Sequence, residues 1–458
     1  MSSPTDSRIG TPVSSLDVTS HDRGSAWGLV VGLALVALAI TLPPALGWSV
    51  HATAHFPDTV APLHAVWHPV IGLGTPIAVV VGWLGVTRGD RLATTLPWRR
   101  LLPATYAATL GWTVALALVY GPSGLSRELN SRQEYLVTAR TIHDVPAFLS
   151  GFVARIPFSA GDAHWPIHVA GHPPGATLFF VALDRIGLGS SFAAGCVVTL
   201  IGASTPVAVL VAMRRLGAEQ AGRRALPFLV LAPAAIWVAV SGDGVFAAVA
   251  AWGLAALAAA MTTSRPGVRW PVAVVAGLLL GLPPVLSYGL VLVGLLALAV
   301  VGLTRGWSLL PVVTASAAVP TLLLAGSGFY LWDAYPELRQ RYWDGLAPDR
   351  PAAYWTWASL AALLLSAGPA LGAALGALAA VRRRTDRAVV WLVAAAASAV
   401  VLADASQMSK AEVERIWLPF VPWLLLATAA LPRRWRRPAL VLQVVVALLV
   451  EHLLDTGW

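Results

Sequence analysis

Long apolar runs, separated by short polar turns, recur along almost the whole chain. A membrane-spanning helix needs about 17 to 25 mostly apolar residues, and in hydrocarbon only a helix or a closed barrel satisfies its own backbone groups. On that basis the pattern predicts thirteen crossings, near 24–48, 64–86, 100–121, 191–212, 225–241, 244–262, 271–284, 286–303, 308–329, 356–381, 388–403, 416–432 and 438–454. A shorter run at 173–187 opens on Pro173-Pro174 and is expected to re-enter or lie on the surface rather than cross. Residues 1–23 are polar and lack the basic, apolar and small-residue regions of a secretory signal, so they predict a disordered cytoplasmic tail before one integral domain over 24–458.

Three polar stretches interrupt the pattern, at 122–170, 330–355 and 404–415. Within the first, Arg127–Ile142 and Val145–Ile156 carry apolar residues at helical spacing, with Leu129, Tyr135, Leu136 and Ala139 on one side. Such segments suit helices lying in the headgroup plane. Arginines set the orientation. Arg88, Arg91, Arg99 and Arg100 form one cluster, Arg214, Arg215, Arg223 and Arg224 a second, and Arg382–Arg384 and Arg433–Arg437 lie in two further basic turns. The positive-inside rule assigns them all to the cytoplasm, which makes the N-terminus cytoplasmic and the three long loops extracytoplasmic. Counted forward from a cytoplasmic N-terminus and back from the C-terminus, the sides agree only if 173–187 does not cross.

Composition removes the soluble classes. Of 458 residues, 57% are hydrophobic and 12% charged, more apolar surface than one soluble core hides. The prediction is an all-α polytopic membrane protein. A net charge of +9 follows from cytoplasmic arginines and needs no nucleic-acid partner. The single Cys196 excludes an internal disulfide and a thiolate metal cluster.

Ionisable residues in so apolar a chain are functional candidates by default, and they collect in the predicted outer loops. The first loop carries Glu128 and Glu134, and the following turns carry His172 and Asp243. A carboxylate such as Asp243, set between two apolar helices, needs a cation to answer it. The second loop offers Arg339, Arg341 and Arg350, the third Glu412, Glu414 and Arg415. Forked guanidinium groups match phosphate oxygens. Trp332, Tyr335, Tyr354 and Trp355 would form an interfacial aromatic belt or stack on a sugar ring. Histidines recur four apart, as His51/His55, His64/His68 and His164/His168/His172. Helical pairs of that kind chelate cations, but Pro57, Pro62 and Pro166 break these stretches, so no metal site is assigned and a divalent cation stays open as cofactor.

Four short motifs in order then carry a resemblance. They are Glu134-Tyr135 followed by Ala139-Arg140, His172-Pro173-Pro174, Arg214-Arg215-Leu216-Gly217 with Gln220-Ala221-Gly222, and Ser241-Gly242-Asp243. Across residues 122–262 the chain resembles the GT-C class of polyprenyl-phosphate-sugar-dependent membrane glycosyltransferases, most of all the protein mannosyltransferase and aminoarabinose transferase branch. Where that branch usually places an Asp-Glu pair before the Tyr, this chain has Asn130-Ser131-Arg132. The resemblance implies a GT-C-like bundle that moves a sugar from a lipid-linked donor to a glycolipid, polysaccharide or protein acceptor. A carboxylate is needed as the base for the acceptor hydroxyl, and Glu134 is the first choice. Asp243 would orient the site, while His172, Arg339, Arg341 and Arg415 would bind the donor phosphate. Glu128, Glu412 and Glu414 are further candidates. Two rival readings are a transporter or flippase of lipid-linked sugars and a catalytically silent relative.

Overall fold

The computed structural model describes residues 15–53 and 59–457, with side chains from residue 19 onward. Helices account for nearly all of the regular structure; the described strands are Val66–Trp67 and Leu454–Asp455, which pair antiparallel. Seven helices are long and apolar enough to cross a membrane, or eight if the bent pair Ala352–Ala367 and Ala370–Val381 is one span. The chain is therefore a helical membrane protein.

Several predicted runs are cut shorter or broken, each at residues that oppose a straight helix. The run at 64–86 begins as strand and turn, and its helix is Gly74–Thr95. Within 225–241 the helix Glu219–Val230 stops and Ala235–Val238 resumes beyond Pro233. Residues 416–432 form short pieces, Val421–Leu424 and Leu425–Ala430, after Val413–Ile416. The run at 356–381 bends by 101° at Gly368-Pro369, where Gly368 adopts φ +96°. At the other extreme, the first helix starts earlier than the polar sequence suggests, covering Ser15–Leu46. Its polar first turns find partners. Asp22 accepts bonds from Arg434 Nε at 2.6 Å and Trp435 Nε1 at 3.1 Å, and His21 Nε2 meets the Ala430 carbonyl at 2.6 Å. Of the expected tail, only residues 1–14 lie outside the described residues.

The bundle has two chemically distinct ends. At one, the basic turns touch each other. Arg436 bonds Asp90 at 2.6 Å and the Arg224 carbonyl at 2.5 Å, and Arg223 bonds the carbonyls of Ala93 and Leu96 at 2.8 and 2.9 Å. A cleft of about 500 Å³ joins Arg215, Thr262, Thr304 and Arg387. The helix Gly242–Thr262 runs from this end to the other, and its 21 residues at 1.5 Å each put Asp243 roughly 30 Å away. At that second end lie the long loop, the strand pair and residues 410–415.

Segment 173–187 begins and ends against the same loop. Its helix Pro174–Leu183 is ten residues long, after which Arg185 bonds the His143 carbonyl at 3.2 Å. Arg140 then bonds the Gly189 carbonyl at 2.9 Å and Ser191 Oγ at 3.0 Å.

The tightest packing joins Ser15–Leu46 to Ala370–Val381. Gly24, Gly28 and Gly32 repeat every fourth residue and face Gly372 and Gly376, so that carbonyl oxygens of one backbone lie where a side chain of the other would be. In lipid, where apolar side chains gain nothing by leaving solvent, such close backbone approach is what joins helices. A Cβ on Gly28 would collide with the Gly372 oxygen, and no flexible side chain can yield. Gly28→Leu is expected to destabilise the bundle by about 2 kcal/mol or more, read as a lowered midpoint of thermal unfolding in detergent. Gly111→Ala, where the added Cβ meets open space, is the control and leaves the midpoint unchanged or raised.

Candidate active site around Arg415

Four segments distant in sequence meet at the end opposite the basic turns. Each is held there by local structure. Pro166 opens the turn Ile167–Gly171, whose first two amides donate to Gln133: Ile167 N to Oε1 at 3.1 Å and His168 N to the carbonyl at 3.3 Å. This seats His168 against the next residue, Glu134, whose carboxylate is buried. Asp243 stands in the first turn of Gly242–Thr262, where the helix dipole favours a negative charge, and Ser241 Oγ accepts the Asp243 amide at 3.0 Å. A Cβ on Gly242 would come within 3.2 Å of the Tyr135 ring, a tight contact that glycine avoids.

Arg415 joins them. Its NH1 donates to Asp243 Oδ2 at 2.9 Å, and its NH2 donates to Glu412 Oε2 at 2.7 Å and to His168 Nε2 at 3.1 Å. Since Arg415 can only donate, His168 Nε2 is the acceptor, so the ring proton sits on Nδ1 and is donated to Glu134 Oε1. A continuous chain, Glu134–His168–Arg415–Asp243, results. A second ring of groups extends from Glu412, whose Oε1 lies 3.5 Å from His64 Nδ1 and 3.8 Å from Arg350 NH2. His64 also donates its backbone N–H to Glu414 Oε1 at 2.9 Å. Arg350 reaches the carbonyls of His51 at 3.0 Å and Lys410 at 2.6 Å.

Backbone strain collects here too. Val240, His51, Ala411 and Glu412 all adopt left-handed φ, at +56°, +50°, +62° and +58°. A β-branched residue such as Val240 is a true outlier in that region, and such positions cost about 1–3 kcal/mol each. All four flank groups of the network.

Electrostatics separates the carboxyls. Burial pushes Glu134 up, but the His168 contact and Arg415 outweigh it and hold the carboxylate below its usual range. Burial likewise opposes ionisation of Glu412, which His64, Arg415 and Arg350 overcome, holding it well below. Glu128 goes the other way, pushed up to about 8 by burial and by the nearby charge of Glu134. Glu414 is also raised by burial, and its Oε2 has no hydrogen-bond partner among the described residues. His172, desolvated beside the network, falls to about 4 and is neutral. Its Nδ1–H donates to the His168 carbonyl at 2.9 Å and its ring stands edge-on to Tyr135 at 5.5 Å. Tyr135 in turn stacks on Phe180.

Of the residues singled out from sequence, Glu134, Asp243, Glu412 and Arg415 are joined directly, while His172 and Glu414 adjoin them. Arg341 is not in the cluster. Its guanidinium is committed to the carbonyls of Ile156 at 2.5 Å and Trp165 at 2.8 Å, with the Phe158 ring 4.2 Å away, so it pins the helix Leu331–Asp344 to the long loop instead of offering a phosphate site. Arg339 is exposed on that helix. Tyr354 and Trp355 do not join an aromatic belt, being fully buried and bonded to the carbonyls of Ala39 and Val50. The histidine spacings have separate causes: the His172 ring bonds the His168 carbonyl one turn back, His68 stacks on Tyr120, and His55 lies outside the described residues. Among the described residues no group of three or more His, Cys, Asp or Glu side chains is arranged to hold a metal ion. His168 and His64, central in the structure, are visible in the sequence only as members of that spacing.

No protein-family model, curated protein or solved structure matches the chain.

The raised Glu128 carries a pH signature. Its carboxyl ionises near 4.5 when unfolded and near 8 in the folded chain, so its contribution to stability is complete below about 4.5 and is lost as pH rises through about 8. Glu128→Gln is expected to gain stability relative to the parent as pH rises across that window, in thermal unfolding at pH 4 to 9; a constant difference across the series refutes the assignment.

Proposed function

We propose that the chain is a membrane glycosyltransferase that moves a sugar from a polyprenyl-phosphate donor to a hydroxyl acceptor on the extracytoplasmic side. The observation carrying this reading is the buried Glu134 carboxylate, held ionised by His168 and Arg415 beside a second acid, Asp243. The sidedness rests on the basic turns, which share one end of the bundle while the network occupies the other. In this reading the chain makes thirteen crossings, each broken or bent run being taken as one passage and 173–187 as lying on the network's side.

In this reading Glu134 takes the proton of the acceptor hydroxyl as its oxygen bonds to the anomeric carbon. The bond from that carbon to the phosphate oxygen breaks on the opposite face, and the lipid phosphate leaves with the electron pair. Arg415 neutralises the charge that develops there, an effect far stronger in a dry site than in water. Asp243 holds Arg415 in place, and neutral His172 offers a hydrogen-bonding ring edge. Glu128, protonated at neutral pH, complements Glu134, because two carboxyls pushed in opposite directions divide acid and base roles between them. The acceptor is a glycolipid, a polysaccharide or a protein.

A transporter of lipid-linked sugars is the second reading. In its favour, the broken segments around 231–234 and 417–425 line an internal cavity of about 40 Å³, and the hydroxyls of Thr113 and Thr205 on its wall have no partner among the described residues. Interrupted helices around a cavity inside the bundle are a feature of transporters, although the lining of this one is mostly apolar.

One assay separates the two. Purified protein in liposomes, given labelled sugar on polyprenyl phosphate, is expected to form a new glycosidic bond, and Glu134→Gln to reduce that rate by about 10² to 10⁴-fold. Movement of the donor across the bilayer with no transfer favours the transporter. Near-parental transfer by the Gln variant removes Glu134 as base.

A further inference from the structure

Arg415 gives NH1 to Asp243 and NH2 to Glu412 and His168 in this structure, so an anion that takes its NH2 has to displace Glu412 or His168. The three acids around it differ sharply in how firmly they are set. Glu134 and Asp243 are 2% and 8% exposed at the side chain, against 27% for Glu412. Asp243 is fixed in the first turn of a long helix, and Glu134 opens the turn that His168 clasps. Glu412 instead projects from consecutive left-handed residues, Ala411 and Glu412, a strained conformation that persists only where surrounding contacts hold it.

Glu412 also has somewhere to go. Its second oxygen lies 3.5 Å from His64 Nδ1 and 3.8 Å from Arg350 NH2, both longer than the 2.7 Å bond to Arg415. His64 and Arg350 are placed to shorten their contacts when Arg415 lets go. His64 lacks a close hydrogen bond at Nδ1 as it stands. Glu412 holds Arg415 through the single oxygen Oε2, and one phosphate oxygen can accept that same NH2 donor in its place.

We infer that Glu412 occupies Arg415 as a stand-in for an anionic ligand, and that a singly charged phosphodiester displaces it toward His64 and Arg350. The phosphate bridging a prenyl chain and a sugar has that chemistry, so the inference deepens the glycosyltransferase reading and rests on it for the identity of the ligand. The preference for one charge follows from the exchange. One carboxylate leaves as one phosphate charge enters, while the acids Glu134 and Asp243 remain nearby and disfavour a second charge. A dianionic monoester or a diphosphate is disfavoured for the same reason. The empty site is then covered by the protein's own carboxylate, which keeps a buried guanidinium from being left uncompensated between turnovers.

Ligand binding without any sugar transfer tests this. The full chain in nanodiscs is titrated calorimetrically with a short-chain prenyl alkyl phosphodiester and, separately, with inorganic phosphate. Removing the competing charge in Glu412→Gln is expected to tighten diester binding by about threefold to tenfold. Glu412→Asp, whose shorter arm holds Arg415 less well, falls between; both variants lower the thermal unfolding midpoint, and binding is compared well below it. In the parent, diester binding raises the His64 pKa followed by NMR, and in Glu412→Gln that response is lost. Unchanged or weaker binding in both variants overturns the displacement, and inorganic phosphate binding as tightly as the diester overturns the ligand class. If Glu412→Gln tightens binding yet the parent transfers no sugar, the glycosyltransferase reading falls and the exchange stands. If the parent transfers sugar and neither variant changes binding, the exchange falls and the glycosyltransferase reading stands.

Discussion

One buried guanidinium organises this end of the molecule. Arg415 has almost no contact with water, and a charge withdrawn from water at that cost persists only where its partners are close and well oriented. They come from three other places in the chain: Asp243 at a helix start, His168 in the loop and Glu412 on the preceding turn. The constraint then spreads outward. Around it, Gly242 avoids a tight contact with the Tyr135 ring, Val240 takes a left-handed backbone, and Ala411 and Glu412 are left-handed in succession. A bundle built only for stability has no need of such a cluster, since apolar residues of similar volume often serve as well or better. That is the physical reason for reading it as a site.

The division between ends is the second constraint. Arginines in the short turns bond to carbonyls and to Asp22, Asp90 and Glu219, where they answer exposed helix ends. Acids and histidines concentrate at the opposite end, under a loop that also receives the segment 173–187 back. Because that segment returns to its starting loop, the alternation of basic and acidic ends continues unbroken through the rest of the chain.

The sequence is informative wherever physics makes a residue expensive. Glu134, Asp243, Glu414 and Arg415 stand out because ionisable groups are rare in an apolar chain, and the structure joins or adjoins all of them. The helical character is equally legible from the length of the apolar runs. Breaks at Gly368-Pro369 and Pro233 have their residues in plain view, yet the length of the surrounding apolar runs is the stronger signal and hides them. Partnership leaves no such trace. Arg341 and Arg415 look alike as sequence, but one is claimed by two carbonyls of the long loop and the other by carboxylates. His168 is hidden for the same reason, since its place depends on Gln133 turning two backbone amides toward Glu134. The spacing of the histidines points to chelation, whereas the geometry uses them one at a time.

The central claim is that the groups around Arg415 face the extracytoplasmic side. Single cysteines at the exposed positions Asp162, Asp349 and Arg383, in a Cys196→Ser background, test it through reaction with a membrane-impermeant maleimide in intact cells. The account predicts labelling at 162 and 349 without permeabilisation and at 383 only after it. Labelling of 383 in intact cells, or protection of 162 and 349 until the membrane is opened, contradicts it.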